Sequence, residues 1–291
     1  MAQQRVKVVT DSTADLDLES CQSWNLAMVP LNVHFGDEVY KDQVELSPPE
    51  FYQKLQVAKI LPRTSQPSPG EFMDLYKELS QEAETIVSIH LSSKFSGTYQ
   101  SAKVAAASLP ELDLVVIDSE SASVGTAVQV LAAAEVANAG GSKEEVLARA
   151  AAAKADSSVY FVVDTLEYLQ RNGRIGRAQA FLGTMLNVKP LLTITDGIVT
   201  PVERVRGKKR ATNRILEIIE EDLKVRQATG SSWQRLRMGL SHAEAPEESM
   251  QLAAEIKKRF ANVELFVEQI GPVIGTHVGP GTLAVSYCLL K

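Results

Sequence analysis

Four polar segments hold the residues of this chain best suited to chemistry, and each sits where an apolar strand pattern gives way to a helix or to glycine. The first is Thr10-Asp11-Ser12-Thr13. Its side chains suit either a ligand or the orphan amides of a helix start, and the two uses account for it equally well. The second is Arg63-Thr64-Ser65-Gln66-Pro67-Ser68. Ser68 serves as a helix cap, which leaves Thr64 and Ser65 free to donate to a ligand; a solvated loop is the simpler account of both. The third is Ser92-Ser93-Lys94-Phe95-Ser96-Gly97-Thr98-Tyr99-Gln100. Here Ser96 at a helix start, backed by the amides of Gly97 and Thr98, makes a seat for an anion, because hydroxyl, free N–H groups and helix dipole point one way. An ordinary serine cap uses the same residues. Two hydroxyl-rich loops at strand ends of one sheet nevertheless favour an anion site, since parallel sheets bind ligands outside the carboxyl ends of their strands. The fourth segment, residues 271–281, sets Thr276 and His277 among four glycines and two prolines. It reads as a constrained loop that brings backbone close to a neighbour, with a tight interdomain turn as the plainer account.

A basic cluster stands out in an acidic chain. Arg171, Arg174 and Arg177 recur every three residues, and Arg204, Arg206, Lys208, Lys209 and Arg210 follow, within a net charge of −6. A solvated face is the usual explanation; a docking patch for an acidic partner or for phosphates is the alternative. Common enzyme signatures are missing: no G-x-x-x-x-G-K-[ST] phosphate loop, no G-x-G-x-x-G, no G-x-S-x-G elbow and no H-E-x-x-H. The four histidines stand singly. The pairing most worth testing as catalysis is Ser96 as nucleophile with His277 as base, which would make the chain an independent acyl-transfer enzyme.

The elements that must position these residues follow from patterning. A chain of 291 residues with 45% hydrophobic and 23% charged side chains is an ordinary globular composition, long enough for two domains. Its acidic balance argues against general nucleic-acid binding, which needs a basic footprint. Cys21 and Cys288 form no C-x-x-C pair, so neither a disulfide framework nor a zinc or other metal site is expected, and a cytoplasmic setting fits. No signal-peptide pattern opens the chain, and no apolar run reaches the ~18 residues of a membrane span. In the first half, strands at 6–10, 27–35, 85–91, 112–118 and 159–164 alternate with helices at about 69–79, 97–109 and 124–139. The helix starts Ser47-Pro48-Pro49-Glu50 and Ser68-Pro69-Gly70-Glu71 are capping-box signatures. That alternation predicts βαβ units and a parallel sheet in an α/β/α sandwich. The second half pairs 191–195 with 198–205 across Asp196-Gly197, a strong hairpin signal. With strands at 235–241, 263–269 and 282–290, it predicts an α+β domain with a mainly antiparallel sheet. The boundary is placed at residue 158, giving domains 1–158 and 159–291.

Taken together and in order, the four segments resemble those of the DegV family over nearly the whole chain. The resemblance rests on Val8-Val9-Thr10-Asp11-Ser12-Thr13-Ala14-Asp15-Leu16, on Thr64-Ser65-Gln66-Pro67-Ser68, on residues 92–102, and on Gly275-Thr276-His277-Val278-Gly279-Pro280-Gly281. It implies a two-domain DegV-like α/β fold with a long-chain fatty acid, such as palmitate, in a tunnel between the domains, and no cofactor beyond that ligand. It further implies that Thr64 and Ser96 hold the carboxylate, with Ser65, Gly97, Thr98 and His277 beside them. The chain would then present its lipid to a separate ATP-dependent fatty acid kinase, which forms the acyl phosphate used in phospholipid metabolism. Arg174 and Arg206, each next to a glycine, are expected at turns near the tunnel mouth, where they would dock that partner. A regulatory module whose ligand is only a signal is the remaining reading. Burying ~15 methylenes at ~0.8 kcal/mol each would drive binding by ~12 kcal/mol gross, less several kcal/mol for ordering.

Overall fold

The computed structural model of the chain describes residues 4–183 and 188–290. Its first part runs β1 (Gln4–Asp11), a 3-10 turn (Ser12–Ala14), α1 (Leu18–Ser23), β2 (Leu26–Val29), β3 (Asn32–Phe35), β4 (Glu38–Lys41), α2 (Pro48–Val57) and β5 (Arg63–Ser65). It continues through α3 (Pro69–Leu79), β6 (Ala83–His90), α4 (Thr98–Ala107), β7 (Asp113–Asp118), α5 (Val124–Asn138) and α6 (Lys143–Ala155). The second part runs β8 (Ser157–Val162), α7 (Glu167–Arg171), a 3-10 segment (Gly176–Phe181), β9 (Val188–Thr195), β10 (Ile198–Arg206) and α8 (Lys208–Ala228). It ends with β11 (Arg235–His242), α9 (Pro246–Arg259), β12 (Glu264–Gln269), α10 (Pro272–Val278) and β13 (Leu283–Leu290).

The predicted parallel sheet is present, in the order β2-β1-β6-β7, with every pair parallel. β6 is buried at nearly every position, as a strand covered on both faces must be. Phe72, Tyr76, Ala102 and Ala105 of α3 and α4 pack on one face. Ala127, Val130, Leu131 and Ala134 of α5 pack on the other. The second sheet has the order β10-β9-β8-β13-β11-β12 and is antiparallel except for β11 with β12. Ile215, Ile219, Leu252 and Ile256 of α8 and α9 cover its outer face. Asp196 and Gly197 turn its first hairpin with φ of 54° and 74°, the left-handed pair that a two-residue turn of this hand requires.

α5 explains how the two sheets join. It packs against β1 of one and against β8, β11 and β13 of the other. A helix with sheets on both sides must be apolar all round, and twelve of its fifteen residues are buried, most of them alanine or valine. Their small side chains let both sheets approach.

Two predicted elements differ. The strand expected at 27–35 is two strands in two sheets, because Pro30 has no N–H for a ladder and the chain leaves the parallel sheet there. β3 instead joins a small third sheet, β4-β3-β5, in which residues 63–65, expected as loop, form an edge strand. Residues 272–278, also expected as loop, form helix α10 with Pro272 at its first position. Among the described residues no helix is long and apolar enough to cross a membrane.

Candidate functional site

One cavity runs between the two large sheets beneath α10, with about 860 Å³ of space between atoms, the solvent at its mouth included. Most of its wall is apolar. Leu31, Leu91 and Ala122 come from the first half; Val159, Phe161, Ile194, Val199 and Ala284 come from the second sheet. Val273, Ile274 and Val278 of α10 form the cover.

Four of the wall's polar side chains come from three of the four segments singled out above. Thr64 and Ser65 arrive on β5, Ser96 precedes α4, His277 rides on α10, and all four line the cavity. Thr64 Oγ1 and His277 Nε2 are 2.9 Å apart. Ser96 Oγ lies 2.9 Å from Thr98 Oγ1 and accepts from the Thr98 N–H at 3.3 Å. The helix cap itself is Gly97, one residue later than the expected Ser96. Gly97 is needed for a different reason: a Cβ there would sit 2.5 Å from Gln66 Nε2. The Gln66 amide therefore packs closely on Gly97, where the segment bearing Thr64 meets the segment bearing Ser96. Thr98 is fully buried behind Ser96. The Ser65 hydroxyl, although Ser65 lines the cavity, is engaged by His34 Nε2 at 2.8 Å.

His277 is held uncharged. Burial, and then the neighbouring Arg174 guanidinium, push its imidazole down to about 4. Its Nδ1 is buried and makes no hydrogen bond within the described residues. Nε2 is engaged by Thr64 and Ser96 Oγ by Thr98, so the couple needed for nucleophilic catalysis is not formed.

Arg174, expected next to a glycine at a turn near the mouth, stands after such a turn and lines the cavity itself. It follows Gly173, whose φ is 70°, with Nε donating to Phe95 O at 3.0 Å and Nη1 to Asn172 O at 2.7 Å. Its neighbours in the basic run turn outward: Arg171 pairs with Glu167 and Arg177 with Asp196. Arg206 is not at the same mouth. It is exposed at the far end of β10 from Val199, which at ~3.4 Å per residue places it roughly 24 Å along the strand from that lining residue. The first segment also lies outside the wall. Asp11 caps the Thr13 N–H at 3.0 Å, its other oxygen meets His90 Nδ1 at 2.9 Å, and Ser12 Oγ accepts from Leu31 N at 3.1 Å. Asp11 and Ser12 thus serve neighbouring backbone and side chains, while Thr10 Oγ1 is buried and makes no hydrogen bond within the described residues. Gln66, Ser123 and Thr282 complete the polar part of the wall. Of these only Gln66 had a signal in sequence, as part of the quoted Thr64–Ser68 motif.

Comparison with known proteins places this architecture. The family model for uncharacterised proteins of the DegV family matches residues 5–289. Protein DegV of Bacillus subtilis is 37% identical over 284 residues, covering 97% of this chain and 99% of its own. A Thermus thermophilus DegV family protein, whose structure is described by its fatty acid binding, superposes with a TM-score of 0.88 at 39% identity, covering 98% of this chain and all of that one. DegV of Bacillus subtilis, described as a fatty acid binding protein, also superposes at 0.88, with 36% identity over 99% of this chain and all of that one. Matched in sequence along almost its full length, and in fold to the same extent, this chain belongs to the DegV family.

Proposed function

We propose that the protein binds one long-chain fatty acid, such as palmitate, in this cavity and presents the carboxylate to a separate ATP-dependent kinase. The observation that carries the reading is the division of the wall: a long apolar stretch, and a cluster of hydroxyls, an imidazole and a guanidinium. That is the complement of an amphiphile. The tail supplies most of the affinity through burial. At the polar cluster, Thr64 and Ser96 donate to the carboxylate, and Thr98 orients the Ser96 hydroxyl. A neutral His277 protonated on Nε2 donates to Thr64 Oγ1 and leaves the threonine proton for the ligand. Arg174 provides the positive charge, so its role moves from docking to the carboxylate. Arg206, distant from the cavity, is left to the partner.

The test loads the protein with palmitate, adds a fatty acid kinase and ATP, and traps acyl phosphate with hydroxylamine. The reading expects trapped product. Arg206→Ala should keep palmitate affinity while association with the kinase weakens and becomes more salt-sensitive, because exposed charges are screened over ~8 Å at physiological salt. Arg174→Ala should lose palmitate affinity. Bound palmitate with no acyl phosphate would leave a binding module and remove the presenting role.

A further inference from the structure

His277 stands at the end of a helix whose start is held from two directions. α10 is short, and its first turn offers few amides because Pro272 has none. The Gly271 N–H goes to Asp15 Oδ1 at 2.9 Å, and the Val273 N–H goes to Asp42 Oδ1 at 3.4 Å. Asp15 is 1% exposed and Asp42 is 0% exposed. Both carboxyls converge on one point: a Cβ on Gly271 would lie 3.1 Å from Asp15 Oδ1 and 3.4 Å from Asp42 Oδ1, with Gln43 Nε2 also at 3.1 Å. The second oxygen of each, Asp15 Oδ2 and Asp42 Oδ2, is buried and makes no hydrogen bond within the described residues.

We propose that Asp15 and Asp42 are positioning residues for the carboxylate seat: by accepting the Gly271 and Val273 amides they clasp the start of α10 and so fix where His277 stands. This rests on the reading of the cavity as a fatty-acid carrier. The two residues come from the turn after β1 and the loop after β4, whereas α10 belongs to the second half of the chain. The clasp is thus one of the joints through which the first half holds the cover of the cavity. Two carboxylates that face the same glycine, with no cation among their hydrogen-bond and ion-pair partners, repel each other unless one keeps its proton.

The remaining charged and titratable neighbours are Asp11, Tyr52 on α2, Glu244 after β11 and Glu268 on β12, with Arg174 at the His277 end. Burial pushes Asp42 up to about 7, and Asp15 is raised well above the usual carboxylate range for the same reason, with the charge of Asp42 adding to it. Raised acids hold their protons at low pH and lose them as pH climbs. Above about 7 Asp42 loses its proton, and its charge then repels that of Asp15 across the clasp. Glu268 is also raised to about 7, but it is bonded to Ser20 rather than to α10.

Palmitate affinity measured from about pH 6 to about pH 8.5 in the wild type, Asp42→Asn and Glu268→Gln separates these groups. A one-unit change in the pair's proton affinity on binding is worth tenfold in affinity. The wild type and Glu268→Gln should weaken by about tenfold as pH rises, while Asp42→Asn stays flat. A pH effect on palmitate itself would appear in all three. A folded Asp42→Asn that weakens as much as the wild type overturns the clasp. The second readout needs no variant and no ligand: the nitrogen resonances of the neutral His277 ring should move slightly with a midpoint near 7, far above the pH at which the ring itself protonates. Resonances that stay fixed across that range refute the proposal. Absence of palmitate binding at every pH would count against the carrier reading, and the ring titration would then decide the clasp alone.

Discussion

At the scale of single residues, the proposed carboxylate seat rests on the hydroxyls of Thr64 and Ser96. Ser96 is oriented by Thr98, and Thr64 by a histidine kept neutral by burial and by Arg174. Thr64→Ala and Ser96→Ala should each weaken palmitate binding by ~1.5–3 kcal/mol, since each removes a hydrogen bond to a charged group. Neither should lower the melting temperature much, because Gly97 and not Ser96 is the helix cap. Calorimetric titration and a thermal melt of each variant test this, and unchanged affinity in both would move the seat elsewhere in the cavity. Thr64, Ser96 and His277 were singled out in the sequence by residue type and setting, and all three line the cavity. Arg174 was legible as a charge at a glycine turn near the mouth, but not as part of the cavity wall. What holds it there is bonding to the carbonyls of Phe95 and Asn172, which spacing does not reveal.

At the scale of elements, capping boxes and the Asp196-Gly197 turn were readable because their signals are local, and the structure has them where the sequence puts them. β5 and α10 were not. β5 is three residues long, and its strand character comes from pairing with β3, some thirty residues earlier. α10 holds a mid-helix glycine that reads as a loop and is kept for packing. A Cβ on Gly275 would stand 2.7 Å from the Tyr52 hydroxyl oxygen and 2.8 Å from Phe51 Cε1, and both rings are buried. Two effects compete in Gly275→Ala: alanine favours a helix interior by ~1 kcal/mol, and overpacking a tight core costs ~1–3 kcal/mol. Rigid aromatic neighbours give the second effect the advantage. We expect a net loss of ~1–2 kcal/mol in denaturant unfolding, together with weaker palmitate binding because α10 carries His277. A variant as stable as the wild type would show that α10 can ride up without consequence.

At the scale of the whole molecule, two sheets share one helix and enclose one cavity. The fold class was legible because strand–helix alternation and hairpin signals differ in period. The joint was not, because an alanine-rich helix carries no mark of what lies on either side of it. Around α5, Glu135 meets Arg235 and Arg237 of β11, which also pair with Glu264 of β12, and Arg237 lies over the Trp24 ring at 5.2 Å. This network ties the halves together on the far side from the cavity cover. On the proposed carrier reading, the binding energy comes from burial of the ligand's tail in the apolar part of that cavity. The most direct test of that claim is mass spectrometry of the organic extract from protein purified out of a bacterial host, followed by palmitate titration of delipidated protein. The account predicts a long-chain fatty acid in the extract and uptake of one palmitate per chain. Extracts without an acyl chain, from folded protein that also takes up none when offered, would contradict it.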